Sequence, residues 1–207
     1  MKSFLLIDDH PVIRLTLKRI IKRLFRSCTI HEAYDCESSI EKFKNNMYNL
    51  IIMDIQIPGN DMLQHMKYMF TNYPNIKVLI FSMYSESTYA KRFFKRGASG
   101  FLTKDASIAE LTKAIGIIIN GKKYMSCSFL ESIIEYSISG KPSNPLDNLS
   151  SREFEIATML LSGKTSKQIS QLLRLKASTI GTHKARIFDK AGANNIIELK
   201  ELATGFL

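Results

Sequence analysis

The chain has 207 residues, 45% of them hydrophobic, and a formal net charge of +10, which is material for two modest cores rather than for a disordered polar chain. No apolar run approaches the roughly 20 residues of a membrane span, and Met1-Lys2-Ser3 leads into a strand pattern and two acids without a small-residue cleavage site, so a cytoplasmic location with no membrane partner is expected. Cys28, Cys36 and Cys127 are scattered and form no CxxC pair, which argues against a zinc site and suits a reducing compartment.

In chain order, Ser3-Phe-Leu-Leu-Ile7 is a short apolar run that ends in Asp8-Asp9, and Pro11 then opens a helical pattern to about Phe25. On that helix Arg14, Lys18, Arg19, Lys22, Arg23 and Arg26 spread over the outer side, either as a solvated face or as a dock for an acidic protein surface. A second strand is expected around 29 to 34, and a short helix from about Glu37 to Asn45. Leu50 to Met53 is apolar without interruption and is followed by Asp54 and then by Pro58-Gly59, the pattern of a strand buried on both faces of a parallel sheet. A helix from about Asp61 to Asn72 stops before Pro74. Lys77 to Ser82 is a fourth buried strand, Glu86 to Arg96 a helix ending at Gly97, and Gly100 to Thr103 a fifth strand leading to Lys104. Ser107-Ile-Ala-Glu110 has the spacing of a capping box for a helix that stops at Gly121.

Five alternations of strand and helix predict a doubly wound, five-stranded parallel α/β sheet. Such a sheet gathers its strand ends at one edge, where ligands bind. Asp8, Asp9, Asp54, Ser82 and Lys104 should therefore converge. Asp54 alone reads equally well as a turn or cap residue, and its partners decide the matter. Three close carboxylates cannot all stay ionised without a cation, and an all-oxygen set suits Mg²⁺. With a lysine ammonium and a hydroxyl beside it, a carboxylate there could accept a phosphoryl group.

The run Asp8-Asp9-His10-Pro11, the Asp54 segment, Ser82 and Gly97-Ala-Ser-Gly-Phe101-Leu-Thr-Lys104-Asp105 resemble the flavodoxin-like receiver domain of two-component response regulators, over about the first 125 residues. The resemblance implies that Asp54 is the phosphoacceptor for a sensor histidine kinase. It implies that Asp8, Asp9, Asp54 and the Gln56 carbonyl hold Mg²⁺, that Ser82 and Lys104 contact the phosphoryl group, and that Phe101 is the switch aromatic. Gln56 and Tyr84 stand where the family tunes the lifetime of the phosphoryl group, and Asp61-Met62 stands where it often has Asp-Gly. A haloacid-dehalogenase-type phosphatase is disfavoured because its Asp-x-Asp pair is absent: Asp8 and Asp9 are adjacent. No GxGxxG follows a strand, which disfavours a dinucleotide site. His10, His31 and His65 read as structural or exposed.

A helical pattern from about Ser126 to Ile138 precedes Ser139-Gly-Lys-Pro142-Ser-Asn-Pro145, which reads as a hinge. The expected domains are 1–125, a linker at 126–147, and 148–207. In the last, helices are expected from the Ser150/Glu153 capping box to about Leu161, from Thr165 to Leu173, from Ala177 to Ala191 and from Ile196 to Ala203, a small all-α helix-turn-helix pattern. LSSREFEIATMLLSGKTSKQISQLL followed by STIGTHKARIFDKAG resembles the LuxR-type four-helix module of NarL/FixJ-type response regulators. That implies a homodimer on double-stranded DNA, with Lys167, Thr179, Thr182, His183, Lys184, Arg186 and Lys190 as candidate contacts. Lys176 replaces the usual capping residue and Gly181 a common basic one, so the 177–191 helix should be loosely held. The reading is a non-enzymatic, phosphorylation-switched transcription regulator; the alternative is an interaction protein whose helix-turn-helix does not read DNA.

Overall fold

The computed structural model describes residues 1–57, 62–139 and 144–203. The expected Pro58-Gly59 turn, the residue Asp61 and positions 140–143 of the expected hinge lie outside the described residues. Two compact units emerge, Met1–Leu130 and Glu131–Leu207, so that 126–130 fall with the first and 131–147 with the second. Among the described residues no helix is long and apolar enough to cross a membrane.

The first unit holds β1 (Lys2–Ile7), α1 (Pro11–Leu24), β2 (Cys28–Ala33), α2 (Cys36–Asn45), β3 (Leu50–Met53), α3 (Met62–Asn72), β4 (Val78–Ser82), α4 (Glu86–Lys95), β5 (Gly100–Thr103) and α5 (Ile108–Ile119). The strands form one parallel sheet in the order β2-β1-β3-β4-β5. Crossover helices cover both faces, which is why β3 and β4 are apolar throughout and fully buried. On one face Phe4, Leu6, Ile52 and Leu79 pack with Leu17 and Ile21 of α1 and with Leu111, Ile115 and Ile118 of α5. β5 enters at Gly100, where a Cβ would lie 2.7 Å from Ile118 Cδ1 and 3.1 Å from Leu79 Cδ1. Gly100→Ala therefore overpacks this layer and should cost about 1 to 2 kcal/mol, read as a lower urea midpoint for the first unit.

One local device differs from expectation. Ser107 does cap α5, accepting the Glu110 N–H, but no reciprocal bond forms because the Glu110 carboxylate accepts the Tyr124 hydroxyl at 2.8 Å. Helix α6 (Cys127–Ser139) begins beyond that point, and its first turn is fastened to α4 by Ser126, which donates to Glu86, and by Phe129 stacked on Phe94 at 5.6 Å.

The second unit contains a 3-10 turn (Pro145–Asn148), α7 (Ser151–Leu161), α8 (Ser166–Leu172), α9 (Ala177–Ala191) and α10 (Ile196–Ala203). Pro145, read from sequence as part of the hinge, instead starts the 3-10 turn. The buried Asn144 side chain accepts the Leu146 N–H at 2.8 Å, and Leu146 enters the core with Phe154, Ile156, Ile180, Ile187 and Leu199. The Ser150/Glu153 and Thr165/Gln168 pairs form full capping boxes.

Candidate functional site

β1, β3, β4 and β5 finish side by side, so the residues that follow them share one edge. The sheet fixes them through the backbone: Asp8 N–H donates to Ala33 O at 3.1 Å, Asp54 N–H to Ile7 O at 2.8 Å and Lys104 N–H to Ser82 O at 2.8 Å. Each of the three stands one position beyond its strand. Their side-chain origins are therefore set by strand register rather than by loop conformation.

Asp8 and Asp54 are each 2% exposed. Carboxylates so deeply buried need compensation. The Lys104 ammonium supplies it, at 2.6 Å from Asp54 Oδ2 and 2.8 Å from Asp8 Oδ2. Burial alone would lower the Lys104 pKa, but hydrogen bonds from the ammonium to Asp54 and Asp8 hold it above the usual lysine range. The other Asp54 oxygen accepts the Ser82 hydroxyl at 2.6 Å and the Gln56 N–H at 3.2 Å. Phe101, fully buried, lies against Phe93 of α4 at 6.2 Å.

Oxygens of Asp8, Asp9 and Asp54 and a ring nitrogen of His10 lie within 4.8 Å of one another. The donor set is mostly hard oxygen, and Asp9 is far more open than Asp8; both features fit Mg²⁺, which keeps several waters.

Three contributions escape a reading of the sequence. Arg14, counted there in a solvated or docking face, donates Nη1 to the Asp8 carbonyl at 2.6 Å and Nε to Glu32 at 3.1 Å, while Lys18 holds the other Glu32 oxygen at 2.7 Å. His10 Nδ1 sits 2.6 Å from Asp9 Oδ1. The Gln56 side chain donates to the Tyr84 hydroxyl at 2.7 Å, and Tyr84 stacks on Tyr89 at 4.4 Å, bridging the segments after β3 and β4. The other histidines lie elsewhere: His65 is buried against Ser39, and His31 contacts Tyr48.

In the second unit α9 buries Ile180, Ile187 and Ala191. Its exposed side carries Gly181, Thr182, Ala185 and Arg186, with Lys167 exposed on α8. Thr179 is half-buried, the Lys184 ammonium lies over the Phe188 ring at 5.6 Å, and His183 Nδ1 is enclosed without a hydrogen-bond partner among the described residues. Lys190 is otherwise engaged, 2.7 Å from Glu153 Oε2.

Lys176 makes no side-chain cap, and a Cβ at Gly181 would meet nothing within 4 Å. Lys176→Ser and Gly181→Ala should therefore each stabilise α9, by about 1 kcal/mol or somewhat less, measured as a rise in the melting temperature of the second unit.

Fold and strand-end cluster together define an α/β domain built around a buried, cation-held Asp, carried in one chain with a helix-turn-helix module. The chain belongs to the two-component response regulators of the NarL/FixJ type: the family described as "Response regulator receiver domain" matches residues 4–116, and "Bacterial regulatory proteins, luxR family" matches 147–203. It is 30% identical to Response regulator GacA of Pseudomonas syringae pv. syringae (strain B728a), over 98% of this chain and 95% of that one. It is 26% identical to Response regulator UvrY of Escherichia coli (strain K12), over 98% and 94%. Among solved structures it is similar to RcsB from Salmonella enterica serovar Typhimurium bound to promoter P1flhDC in the presence of the phosphomimetic BeF3-, with a TM-score of 0.76, 19% identity, and 99% and 98% of the two chains covered.

Proposed function

We propose that this response regulator is a cytoplasmic transcription regulator whose DNA binding is switched by transfer of a phosphoryl group from a sensor histidine kinase to Asp54. The observation that carries the reading is the Asp54 carboxylate itself, buried, with a hydroxyl on one oxygen and an ammonium on the other.

In that reaction an Asp54 oxygen attacks phosphorus, and the bond from phosphorus to the kinase histidine nitrogen breaks. Asp8, Asp9 and Asp54, with the Gln56 carbonyl, would hold Mg²⁺, which supplies charge neutralisation at the phosphoryl oxygens. Lys104, already shared by the two buried carboxylates, would pair with the phosphoryl group. Ser82 would transfer its hydrogen bond to a phosphoryl oxygen, drawing the segment after β4 inward. Phe101, already fully buried and with no hydroxyl to satisfy, would be held inward by burial alone.

The phosphorylated protein would act as a homodimer on duplex DNA. Thr182 and Arg186 present the most accessible candidate contacts on α9, with Lys167 on α8; Thr179, His183 and Lys184 flank them. Lys190 would act mainly on stability through Glu153. The uncapped start of α9 and the engagement of Lys190 within the unit favour a second reading, an interaction protein that does not read DNA. Absence of a gel shift even at low salt would select it.

A small-molecule phosphodonor tests the first step. Intact mass should show one phosphoryl adduct on the wild type in Mg²⁺, none in EDTA and none on Asp54→Asn; an equal adduct on Asp54→Asn would refute the assignment.

A further inference from the structure

In a parallel sheet with antiparallel return helices, every helix-to-strand segment comes to the edge opposite the strand ends that carry Asp54. In the first unit these are residues 1–3, 25–27, 46–49, 73–77, 96–99 and 120–124. They contain no Asp or Glu, and they carry Lys2, Arg26, Lys77, Arg96, Lys122 and Lys123. The described acids of the unit lie instead at or near the Asp54 edge, with Glu41 in the middle of α2. The last turns of α1, α2 and α4 add further basic residues, but those complement helix dipoles and need no partner. Lys77, which donates to the last carbonyl of α5, and Arg96, which donates to the Arg92 carbonyl, have comparable local roles, whereas Arg26, Lys122 and Lys123 have no such contact among the described residues.

Packing brings the loop charges together. Lys2 lies 4.4 Å over the Phe25 ring, next to Arg26. The Lys77 ammonium donates to the Ile119 carbonyl at 2.7 Å, three positions before Lys122. α1 and α5 pack on the same face, so the Arg26 end and the Lys122 end are neighbours. Arg26, Lys122 and Lys123 are exposed, and among the described residues none of them pairs with a carboxylate.

We propose that this basic edge of the receiver is a second, sequence-independent contact for duplex DNA, binding the phosphate backbone. The proposal rests on the reading that the chain works on DNA. Phosphates are contacted by Lys, Arg, Asn, Ser and backbone N–H groups, and the same segments supply Asn49, Asn75, Asn120, Ser3 and Ser27. The second unit is carried on the same chain, so a duplex it holds is tethered to the receiver. An acidic protein or an anionic membrane surface could share the charge but would lack that tethering.

The test is the salt dependence of binding by the full chain to a labelled duplex of arbitrary sequence. The triple variant Arg26→Ala, Lys122→Ala, Lys123→Ala should reduce the slope of log affinity against log salt by about 2 to 3. A control triple of exposed mid-helix residues, Arg19→Ala, Lys67→Ala, Lys113→Ala, should change it little. An unchanged slope in the first triple, or an equal change in the control, would overturn the proposal. So would an unchanged slope with lost binding to anionic phospholipid vesicles, which would assign the edge to a membrane surface. Arg186→Ala separates this proposal from the reading of α9. An effect of Arg186→Ala alone keeps that reading and removes the basic edge; an effect of the edge triple alone does the reverse. No binding by wild type at low salt refutes both.

Discussion

Lys104→Met should destabilise the first unit by about 3 to 5 kcal/mol in metal-free buffer at neutral pH, the cost of stranding buried charges when a partner is removed. Asp8 and Asp54 share this ammonium at 2.8 and 2.6 Å and are each 2% exposed. Without it two buried carboxylates face each other with no cation between them. Added Mg²⁺ should restore part of the stability by replacing the lost cation. In the wild type the raised Lys104 pKa means that its contribution is full below the ordinary lysine pKa and is lost only as pH climbs through the higher folded value. Chemical denaturation with and without Mg²⁺, followed across pH, reads all of this. Stability that is unchanged in metal-free buffer would show that Lys104 is not the counter-ion of the pair.

Lys190→Ala should destabilise the second unit by about 2 to 3 kcal/mol, less than a fully buried pair because the lysine side chain is 39% exposed and partly screened. The variant leaves Glu153, 3% exposed, without its cation. Burial pushes the Glu153 pKa up, but Lys190 and the Ser150 cap outweigh it and bring the group to about 2. A depressed carboxyl pKa contributes stability that is present above the unfolded value of 4.5 and is lost as pH falls towards about 2. The acid-unfolding midpoint of Lys190→Ala should therefore lie higher than that of the wild type. A variant that lost DNA affinity with no change in melting temperature or acid midpoint would restore Lys190 to the list of DNA contacts.

The Asp54 site and the Glu153 pair differ in how far the sequence discloses them. Asp8, Asp54 and Lys104 each follow directly on a short apolar run, so strand periodicity and the parallel topology together place them at one edge. The expected 177–191 bounds match α9, which Gly192 ends in the left-handed region with φ of +71°. The Glu153–Lys190 pair spans 37 positions and two helices, and nothing local announces it. Arg14 looked like one charge of a basic helix face, yet it faces the Asp8 carbonyl and Glu32, because α1 packs beside β2 as well as β1. Pro145 resembled hinge composition; only the tertiary burial of Leu146 makes it the start of a turn. Likewise Ser107 and Glu110 have capping-box spacing, but Tyr124, fourteen residues on, takes the carboxylate. Local patterns disclose elements and their ends, whereas the partners of charged side chains depend on packing that periodicity does not encode.

The most direct measurement is DNA affinity of the full chain, with and without beryllofluoride, for wild type and Asp54→Asn. Beryllofluoride should tighten binding by the wild type and leave Asp54→Asn at the unactivated level. Equal binding by the wild type in both conditions, or an equal response from Asp54→Asn, would contradict the claim that this buried carboxylate governs the helix-turn-helix module.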